Sequence, residues 1–470
     1  MKLVLTHAYY LKEDARERVI MKPYPPLGIL SISAWLDKFS VDHEVYDSTF
    51  SDHNSQQQYL LKTRPDIIGI YSNLMSKKAI ADLISFIRKE HDLSHAMIIL
   101  GGPDVTYNIE NYLKLGADIL VIGEGEETML ELSKVSSGKS NAQLQHIDGI
   151  AFLDDRGDII RTRPRAKMPD LDVLPTPARG KIDMSLYMDT WKNYHGKSAI
   201  SLSTQRGCPY TCKWCSTAVY GQSYRRRSPA AVVDEMEMIQ RQYQPDQLWF
   251  VDDVFTVSHK WLIEFQSELN TRKIHIPFEC ITRADRLTED VIKVLKDAGC
   301  FRVWIGAESG SQKILDAMDR RVQATQVEEM IIYAKTLGVE TGTFIMLGYP
   351  GETEEDIFLT LEYLKRANPD HFTITVAYPI KGTALYDETA SSHILKKPWQ
   401  ESTDRDIEFK RTYPREYYRF AVPYIVQSVL QHRRSSSSGS RGYNSLKHRL
   451  KIFVCRLGML WYRNKALHFS

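Results

Sequence analysis

Short apolar runs alternate with longer stretches of helical periodicity over the first 135 residues. Runs such as LVLTH, DIIGIY and MIILGG end in turn residues, and amphipathic segments such as KKAIADLISFIRKEH lie between them. A short run that is apolar throughout is typical of a strand buried on both faces of a parallel sheet. Because strands and helices alternate, the pattern predicts a doubly wound α/β domain over residues 1–135.

The same alternation returns after a stretch of different character. Residues 136–195 contain a loop, a hairpin pattern around Asp-Arg-Gly-Asp and a proline-rich crossing, and we interpret them as a linker. Residues 196–390 contain six further apolar runs with helices between them, which predicts a parallel sheet curved like part of a barrel. In such a barrel the chemistry lies at the carboxyl ends of the strands. Residues 391–470 are predicted to form a small, basic, helical region.

Composition narrows the class of protein without defining its chemistry. The chain has 470 residues, 43% hydrophobic and 26% charged, with a formal net charge of +2. This balance gives no reason to expect a nucleic-acid partner. The opening MKLVLTHAYY fits a buried first strand better than a secretory signal, and no apolar run reaches the length of a bilayer span. We therefore expect a cytoplasmic protein.

Three of the six cysteines crowd into one short segment after a predicted strand. RGCPYTCKWCS places Cys208, Cys212 and Cys215 in a CxxxCxxC run. Thiolates are the usual ligands of iron–sulfur clusters, and three of them leave one iron of a cubane open to a further ligand. The alternatives are a structural zinc site or unrelated buried cysteines. Zinc sites usually close with four ligands, and no fourth cysteine has suitable spacing.

This segment and those downstream resemble the radical S-adenosylmethionine superfamily over about residues 197–390. GCPYTCKWCS resembles its cluster loop, and FVDDVF, FRVWIGAESGS and TFIMLGYPGET resemble its strand-end segments. The resemblance implies a partial (β/α)6 barrel of the TIM type and a 4Fe–4S cluster on the three cysteines. It also implies that S-adenosylmethionine is bound by Trp214, Asp252, Asp253, Arg283, Glu308, Ser309 and Gly348.

Each of these assignments has a simpler alternative. The resemblance implies that Asp252 and Asp253 contact the methionine amino group, but these residues could instead cap a helix. Arg283 is the candidate for the methionine carboxylate, yet it could form a surface ion pair. Glu308 is the candidate for the ribose hydroxyls, whereas Gly348 serves a turn in either case.

The N-terminal domain resembles the subgroup that carries a Rossmann-like cobalamin-binding domain before the barrel. YPPLGILSISAWL, PDIIGIYS, IILGGPDVT and ADILVIGEGEET match it in order and spacing. The resemblance implies that the strand ends hold cobalamin through Ser72, Asn73, Gly101, Gly102, Gly123, Glu124, Gly125 and Thr128. The sequence has no Asp-x-His-x-x-Gly motif, so the corrin is expected to bind without a histidine ligand to cobalt. The alternative is a related domain that has lost cobalamin.

Together these resemblances predict a cobalamin-dependent radical S-adenosylmethionine enzyme that methylates an unactivated carbon of a small-molecule or lipid substrate. Methylcobalamin, not adenosylcobalamin, is the expected form, and flavodoxin or ferredoxin is the expected electron donor. One alternative is an oxidative cyclase of the anaerobic magnesium-protoporphyrin monomethyl ester type. Others are a non-catalytic cobalamin or iron–sulfur sensor and a methylthiotransferase acting on RNA. The sequence singles out no catalytic residue.

The C-terminal stretch has an unusual charge pattern. Beyond Glu416 there is no Asp or Glu, and LKHRLKIFVCRLGMLWYRNKAL is basic and amphipathic. This stretch could cover the barrel mouth, bind an anionic membrane surface or remain a solvated tail. Because Phe453, Leu457, Leu460 and Trp461 recur near helical spacing, the plain tail is disfavoured. Peripheral contact with the inner face of the membrane is therefore one expectation.

Overall fold

The structure is a computed structural model, and it describes residues 2–135, 141–395, 397–436 and 443–466. The chain divides into two units. The first unit comprises Met1–Tyr210, Ser216–Trp249 and Leu395–Asp406. The second unit comprises Thr211–Cys215, Phe250–Ile394 and Ile407–Ser470.

A seven-stranded sheet organises the first unit. Its strands are β1 (Leu3–His7), β2 (Glu44–Tyr46), β3 (Ile67–Tyr71), β4 (Met97–Gly101), β5 (Ile119–Val121), β6 (Ile150–Leu153) and β7 (Ile159–Arg161). They lie in the order β2-β1-β3-β4-β5-β6-β7. The first five strands pair in parallel, whereas β6 and β7 pair antiparallel at one edge. The hairpin expected within the linker therefore extends this sheet.

Successive residues of these strands pack on opposite faces, as a pleated backbone requires. On β1, Val4 belongs to the core under one face, whereas Leu3 and Leu5 belong to the core under the other. The helices that accompany the sheet are α1 (Glu17–Ile20), α2 (Leu27–Lys38), α3 (His53–Thr63), α4 (Lys77–Lys89), α5 (Ile109–Leu115), α6 (Glu126–Leu132), α7 (Asn141–Leu144) and α8 (Met184–His195). Burial on both faces explains why the strands are apolar throughout.

A second sheet carries the six further strands predicted from the sequence. The elements from residue 199 to 250 are β8 (Ala199–Leu202), β9 (Gln205–Arg206), β10 (Arg225–Arg226), α9 (Pro229–Tyr243) and β11 (Gln247–Phe250). The later strands are β12 (Phe278–Thr282), β13 (Cys300–Glu308), β14 (Glu340–Leu347) and β15 (His371–Val376). The sheet order is β15-β14-β13-β12-β11-β8, and β12 to β15 pair in parallel. The predicted α/β fold with a partial barrel is confirmed.

The helices of the second unit are α10 (His259–Arg272), α11 (Glu289–Asp297), α12 (Gln312–Ala317), α13 (Ala324–Thr336), α14 (Glu354–Ala367), α15 (Ala384–Thr389), α16 (Arg415–Ser436) and α17 (Tyr443–Ala466). Four of these helices, α10, α11, α14 and α15, begin at a capping side chain that accepts from a backbone N–H group. Thr288 caps α11, and Thr353 with Asp356 forms a capping box on α14. Among the described residues, no helix has both the length and the hydrophobicity needed to cross a bilayer.

An ion-pair network ties α17 to the first turn of α14. Arg456 Nη1 lies 2.6 Å from Glu354 Oε1, and Arg463 Nη1 lies 2.7 Å from Glu354 Oε2. Burial alone would raise the pKa of Glu354, but the hydrogen bond and charge of Arg456, together with Tyr417 and Arg463, hold that pKa below its usual value. Glu354 therefore binds Arg456 and Arg463 of α17 in its ionised form.

We expect Glu354→Gln to loosen α17. Because the pKa of Glu354 is lower when folded, its stabilisation is complete above the unfolded value of 4.5 and is lost as pH falls through the folded value. Removing the charge at neutral pH should cost about 2 kcal/mol locally. Hydrogen exchange of the α17 amides measures the change. The exposed neighbour Glu355 provides the control, since Glu355→Gln should leave the exchange rates as they were.

Candidate functional site

The cysteine loop follows β8 and the short strand β9. None of the six cysteines forms a disulfide, and Cys215 is the most exposed of the three in the loop. The backbone of Cys215 donates to the carbonyl of Cys212 at 3.1 Å, which closes a tight turn. Lys213 anchors that turn within the second unit, because its N–H donates to Met318 O and its carbonyl accepts from Leu385 N. These bonds fix the backbone of the turn that carries Cys212 and Cys215.

Two buried arginines approach the sulfur of Cys212. Arg283 Nη1 lies 3.4 Å from Cys212 Sγ, and Arg320 Nη1 lies 3.6 Å from the same atom. Both guanidinium groups are almost fully buried. Both groups are therefore placed to donate N–H···S hydrogen bonds, which are one of the factors that set the reduction potential of an iron–sulfur cluster.

The two guanidinium groups differ in what else they bind. Arg283 Nε donates to Asp285 at 2.8 Å, and Arg283 Nη2 donates to the carbonyl of Arg320 at 2.6 Å. Every nitrogen of Arg283 therefore has a partner within the protein. Arg320 Nη2 donates to Gly306 O, but its buried Nε has no hydrogen-bond partner among the described residues. Arg320 thus keeps a donor for an anionic ligand, whereas Arg283 is held in place.

Glu308 occupies a strained position at the end of β13. Its φ is +64°, and the register against β14 shifts between Gly306 and Glu308. The carboxylate lies 3.9 Å from Arg320 Nη2. Burial raises the pKa of Glu308, and the positive charges of Arg320 and Arg283 offset this only in part. A non-glycine residue with positive φ at a strand end is a feature that clusters at functional sites.

The other predicted S-adenosylmethionine contacts also lie at or near strand ends. Asp252 is buried after β11, whereas its neighbour Asp253 is exposed. Ser309 is buried, and its hydroxyl bonds to Thr360 at 3.2 Å. Gly348 follows β14 with a φ of +79°, and a side chain there would press on the ring of Tyr418. These positions share the carboxyl edge of the sheet, but Ser309 and Gly348 also have clear roles in packing.

Trp214 lies between two of the cysteines in sequence and packs inward. It contacts a small core that includes Ile314, Met318, Tyr349 and Leu385. The guanidinium of Arg320 lies 5.9 Å from the centre of the Trp214 ring. The ring therefore helps to hold both the cysteine loop and Arg320.

A cavity in the first unit lies at the predicted cobalamin position. Its volume is about 230 Å³, and it opens between the sheet and helices α2 and α6. Five predicted residues line it, namely Gly101, Gly102, Gly123, Glu124 and Gly125. Gly28 and Gly69 also line it, so a backbone without side chains forms much of its wall. None of the described residues that line it is a histidine.

A buried network of ion pairs stands at one wall of this cavity. Arg206 pairs with Glu126 and lies 3.7 Å from Glu124, while Arg225 also pairs with Glu124. Burial alone would lower the pKa of Arg206, but the neighbouring carboxylates hold it above its usual value. Arg206 lies over the ring of Tyr220, which itself lines the cavity. This network fixes Arg206, which precedes the cysteine loop in sequence, and Arg225, which follows it.

Three predicted cobalamin residues do not line the cavity. The hydroxyl of Ser72 bonds to Tyr112 at 2.8 Å, and the amide oxygen of Asn73 accepts from Ser76 N at 3.0 Å. Thr128 is buried within α6. His7 ends β1, but its Nε2 lies 2.9 Å from Asp47. Ser72, Asn73 and His7 therefore use their side chains in hydrogen bonds within the protein.

Sequence reasoning missed Arg320, Arg206 and Tyr220. Arg320 lies beyond α12, away from any strand end, so its approach to Cys212 follows only from the tertiary fold. Arg206 lies just before the cysteine motif and Tyr220 a few residues after it, so nearness to the motif in sequence could have drawn attention to both residues.

The residues present fit both implied cofactors. Within the described ranges, no three His, Cys, Asp or Glu side chains are close enough to hold a single metal ion. A cubane differs because each thiolate binds a separate corner, so the donors lie further apart than ligands of one ion. The thiol loop with guanidinium donors at Cys212 suits such a cluster. The glycine-walled cavity, which added side chains would fill, suits part of a large flat ligand.

Comparison with known proteins agrees with this geometry. The family model described as B12 binding domain matches residues 18–133, and that described as Radical SAM superfamily matches residues 202–376. The uncharacterized methyltransferase PH0819 of Pyrococcus horikoshii is 28% identical over 85% of this chain and 86% of its own. The anaerobic magnesium-protoporphyrin IX monomethyl ester cyclase of Rubrivivax gelatinosus is 26% identical over 83% of this chain and 70% of its own.

A solved structure shows the same fold. The cobalamin-dependent S-adenosylmethionine radical enzyme OxsB with aqua-cobalamin bound superposes with a TM-score of 0.73 at 18% identity, covering 97% of this chain and 72% of that chain. A second structure of OxsB, with S-adenosylmethionine also bound, is matched over 54% of its length. At this identity the likeness establishes the fold alone.

Fold and site together define a radical S-adenosylmethionine enzyme with a B12-binding domain. The chain carries both of these domains, and its relatives include a protein named as a methyltransferase and magnesium-protoporphyrin cyclases. The predicted resemblance to radical S-adenosylmethionine enzymes with a B12-binding domain is therefore confirmed.

Proposed function

We propose that this enzyme methylates an unactivated carbon of a small-molecule or lipid substrate. The observation that carries the proposal is the presence, in one chain, of a thiol loop with guanidinium donors and a glycine-walled cavity beside a B12-binding sheet. The relative from Pyrococcus horikoshii, which carries the name methyltransferase, supports methylation. Flavodoxin or ferredoxin is the proposed electron donor.

The bound cofactors supply the reactive chemistry. When bound, a 4Fe–4S cluster held by Cys208, Cys212 and Cys215 would supply the electron for reductive cleavage of S-adenosylmethionine, and cobalamin in the glycine-walled cavity would supply the methyl group. The protein contributes binding, orientation and exclusion of water around these groups.

Each group of residues has a distinct task in this proposal. Cys208, Cys212 and Cys215 hold the cluster. Arg320 pairs with the methionine carboxylate, since its buried Nε–H lacks a hydrogen-bond partner among the described residues. Arg283 positions Cys212, because each of its nitrogens already has a partner in the protein. This division differs from the sequence-based expectation, which gave the carboxylate to Arg283.

The decisive experiment is anaerobic reconstitution with iron, sulfide and cobalamin, followed by incubation with S-adenosylmethionine and a reductant. We expect 5′-deoxyadenosine to form. A methylase would also pass the methyl group of a second S-adenosylmethionine to the added cobalamin, so S-adenosylhomocysteine, up to one equivalent per cobalamin when no substrate is present, should accompany it. Absence of 5′-deoxyadenosine from protein with a full, reduced cluster would reject the enzyme in favour of a sensor.

We expect Arg320→Met to weaken S-adenosylmethionine binding. Loss of a charge-assisted hydrogen bond in a buried site costs about 1.5–3 kcal/mol, which corresponds to roughly 10- to 150-fold in affinity. Equilibrium dialysis under anaerobic conditions measures it. Arg321 is the matched control, because it is exposed and pairs with Asp319 at 2.8 Å. Equal loss in Arg321→Met and Arg320→Met would contradict the assignment.

The second candidate function is radical cyclisation, which the relative from Rubrivivax gelatinosus favours. A cyclase would also release 5′-deoxyadenosine, but its product would gain no methyl group and S-adenosylhomocysteine would not form. The mass of the product therefore separates the two functions.

A further inference from the structure

The C-terminal helix α17 exposes large apolar side chains. Its outward residues are Leu450, Phe453, Val454, Leu457 and Trp461, exposed by 62%, 60%, 50%, 50% and 63% respectively. Their spacing follows the helical repeat, so all five lie on one side of the helix. A surface helix ordinarily turns its polar side to water, and a contiguous apolar patch marks a site of interaction.

The opposite side of α17 fixes this orientation. Cys455 and Met459 are buried there, and the ring of Phe420 on α16 lies where a side chain at Gly458 would stand. On the same side Arg456 and Arg463 bind Glu354. The helix is therefore anchored to α14 and α16, and the five apolar residues point away from both helices. We call these five residues the apolar stripe.

The charges beside the apolar stripe have a single sign. Lys447 and Lys451 lie along one border of the stripe and Arg449 along the other, and all three are exposed. No Asp or Glu occurs anywhere beyond Glu416. A helix with an apolar face bordered by cations is the arrangement that lies in the interface of an anionic bilayer.

We propose that α17 docks the enzyme on an anionic lipid surface through the apolar stripe. Phe453 and Trp461 enter the headgroup boundary, and the bordering cations meet lipid phosphates. A second copy of this chain fits less well, because face-to-face packing of two stripes would bring the same cations together with no acid to neutralise them. The proposal does not depend on which reaction the barrel catalyses.

The test is sedimentation of the full chain with vesicles. We expect binding to vesicles of equal phosphatidylcholine and phosphatidylglycerol, and much weaker binding to phosphatidylcholine alone. Raising salt from about 0.1 M to about 1 M shortens the screening length from ~10 Å to ~3 Å and should release the protein. Phe453→Ser combined with Leu457→Ser should lower the partition coefficient by about tenfold or more.

A matched double variant distinguishes docking through the apolar stripe from nonspecific adsorption through any exposed apolar side chain. Ile263 on α10 and Ile332 on α13 are exposed to a similar extent, so Ile263→Ser with Ile332→Ser should leave vesicle binding unchanged. Circular dichroism confirms that both double variants are folded. The proposal is overturned if the wild-type protein stays in the supernatant with anionic vesicles, or if both double variants lose binding equally. It is also overturned if the stripe instead forms a dimer in solution that the Phe453→Ser and Leu457→Ser variant disperses.

Discussion

Cys212→Ala should yield folded protein that holds no 4Fe–4S cluster and forms no 5′-deoxyadenosine above background. The reason is the number of ligands, since a cubane held by three thiolates has no spare donor when one is removed. Cys212 is the most informative of the three because Arg283 and Arg320 both donate to its sulfur. Removing that sulfur takes one hydrogen-bond acceptor from each of the two arginines, but Arg283 keeps Asp285 and Arg320 keeps Glu308 as a neighbouring carboxylate. Iron and sulfide content after anaerobic reconstitution, with electron paramagnetic resonance of the reduced protein, measures the outcome.

The second unit contains a natural control for this experiment. Cys280 and Cys300 are buried on neighbouring strands β12 and β13, with their sulfurs 4.0 Å apart. Because these thiols pack in the core of the sheet, Cys280→Ala should keep the full iron content. If Cys212→Ala retained its cluster while Cys280→Ala lost it, the assignment of ligands would be wrong. Loss in both variants would point to unfolding, which circular dichroism would detect.

The spacing of the cysteines could be interpreted from sequence because it depends on neighbouring residues alone. The strand-end positions Glu308 and Gly348 could be located too, since apolar runs reveal where parallel strands end. The role of Arg283 was harder to predict. Its distance from Cys212, and its bonds to Asp285 and to the carbonyl of Arg320, arise only when distant segments come together.

In the N-terminal domain, too, the sequence predicted where the backbone comes close to the cavity but not which partners the side chains bind. Glycines mark close approach of backbone because they lack a side chain, and the predicted glycines do line the cavity. Ser72, Asn73 and Thr128 have hydroxyl or amide groups that could bond in many directions. In the structure Ser72 bonds to Tyr112, and Asn73 caps the turn before α4. The sequence pattern placed these residues at or near the ends of strands and helices, but it did not predict the hydrogen-bond partner of each side chain.

Gly28→Leu should abolish cobalamin binding while leaving the iron–sulfur cluster intact. Gly28 lies in the first turn of α2 and lines the 230 Å³ cavity. A Cβ added there would lie 3.8 Å from the ring of Tyr71, which is ordinary contact, so the backbone can accept a side chain. The rest of the leucine would extend into the space that the ligand requires. We expect affinity for cobalamin to fall by about a hundredfold or more, because overpacking a filled site costs several kcal/mol.

Gly180 offers a matched control in the same unit. A Cβ at Gly180 would meet no atom within 4 Å, so Gly180→Leu adds the same side chain away from the cavity. Both variants are reconstituted with cobalamin and iron, desalted and measured by absorbance for cobalamin and by chemical assay for iron. Filling an empty apolar space should also leave the thermal stability of Gly28→Leu equal to or above that of the wild type without cobalamin. Retention of cobalamin by stable Gly28→Leu protein would show that the ligand lies elsewhere, because a leucine and the ligand cannot share this space.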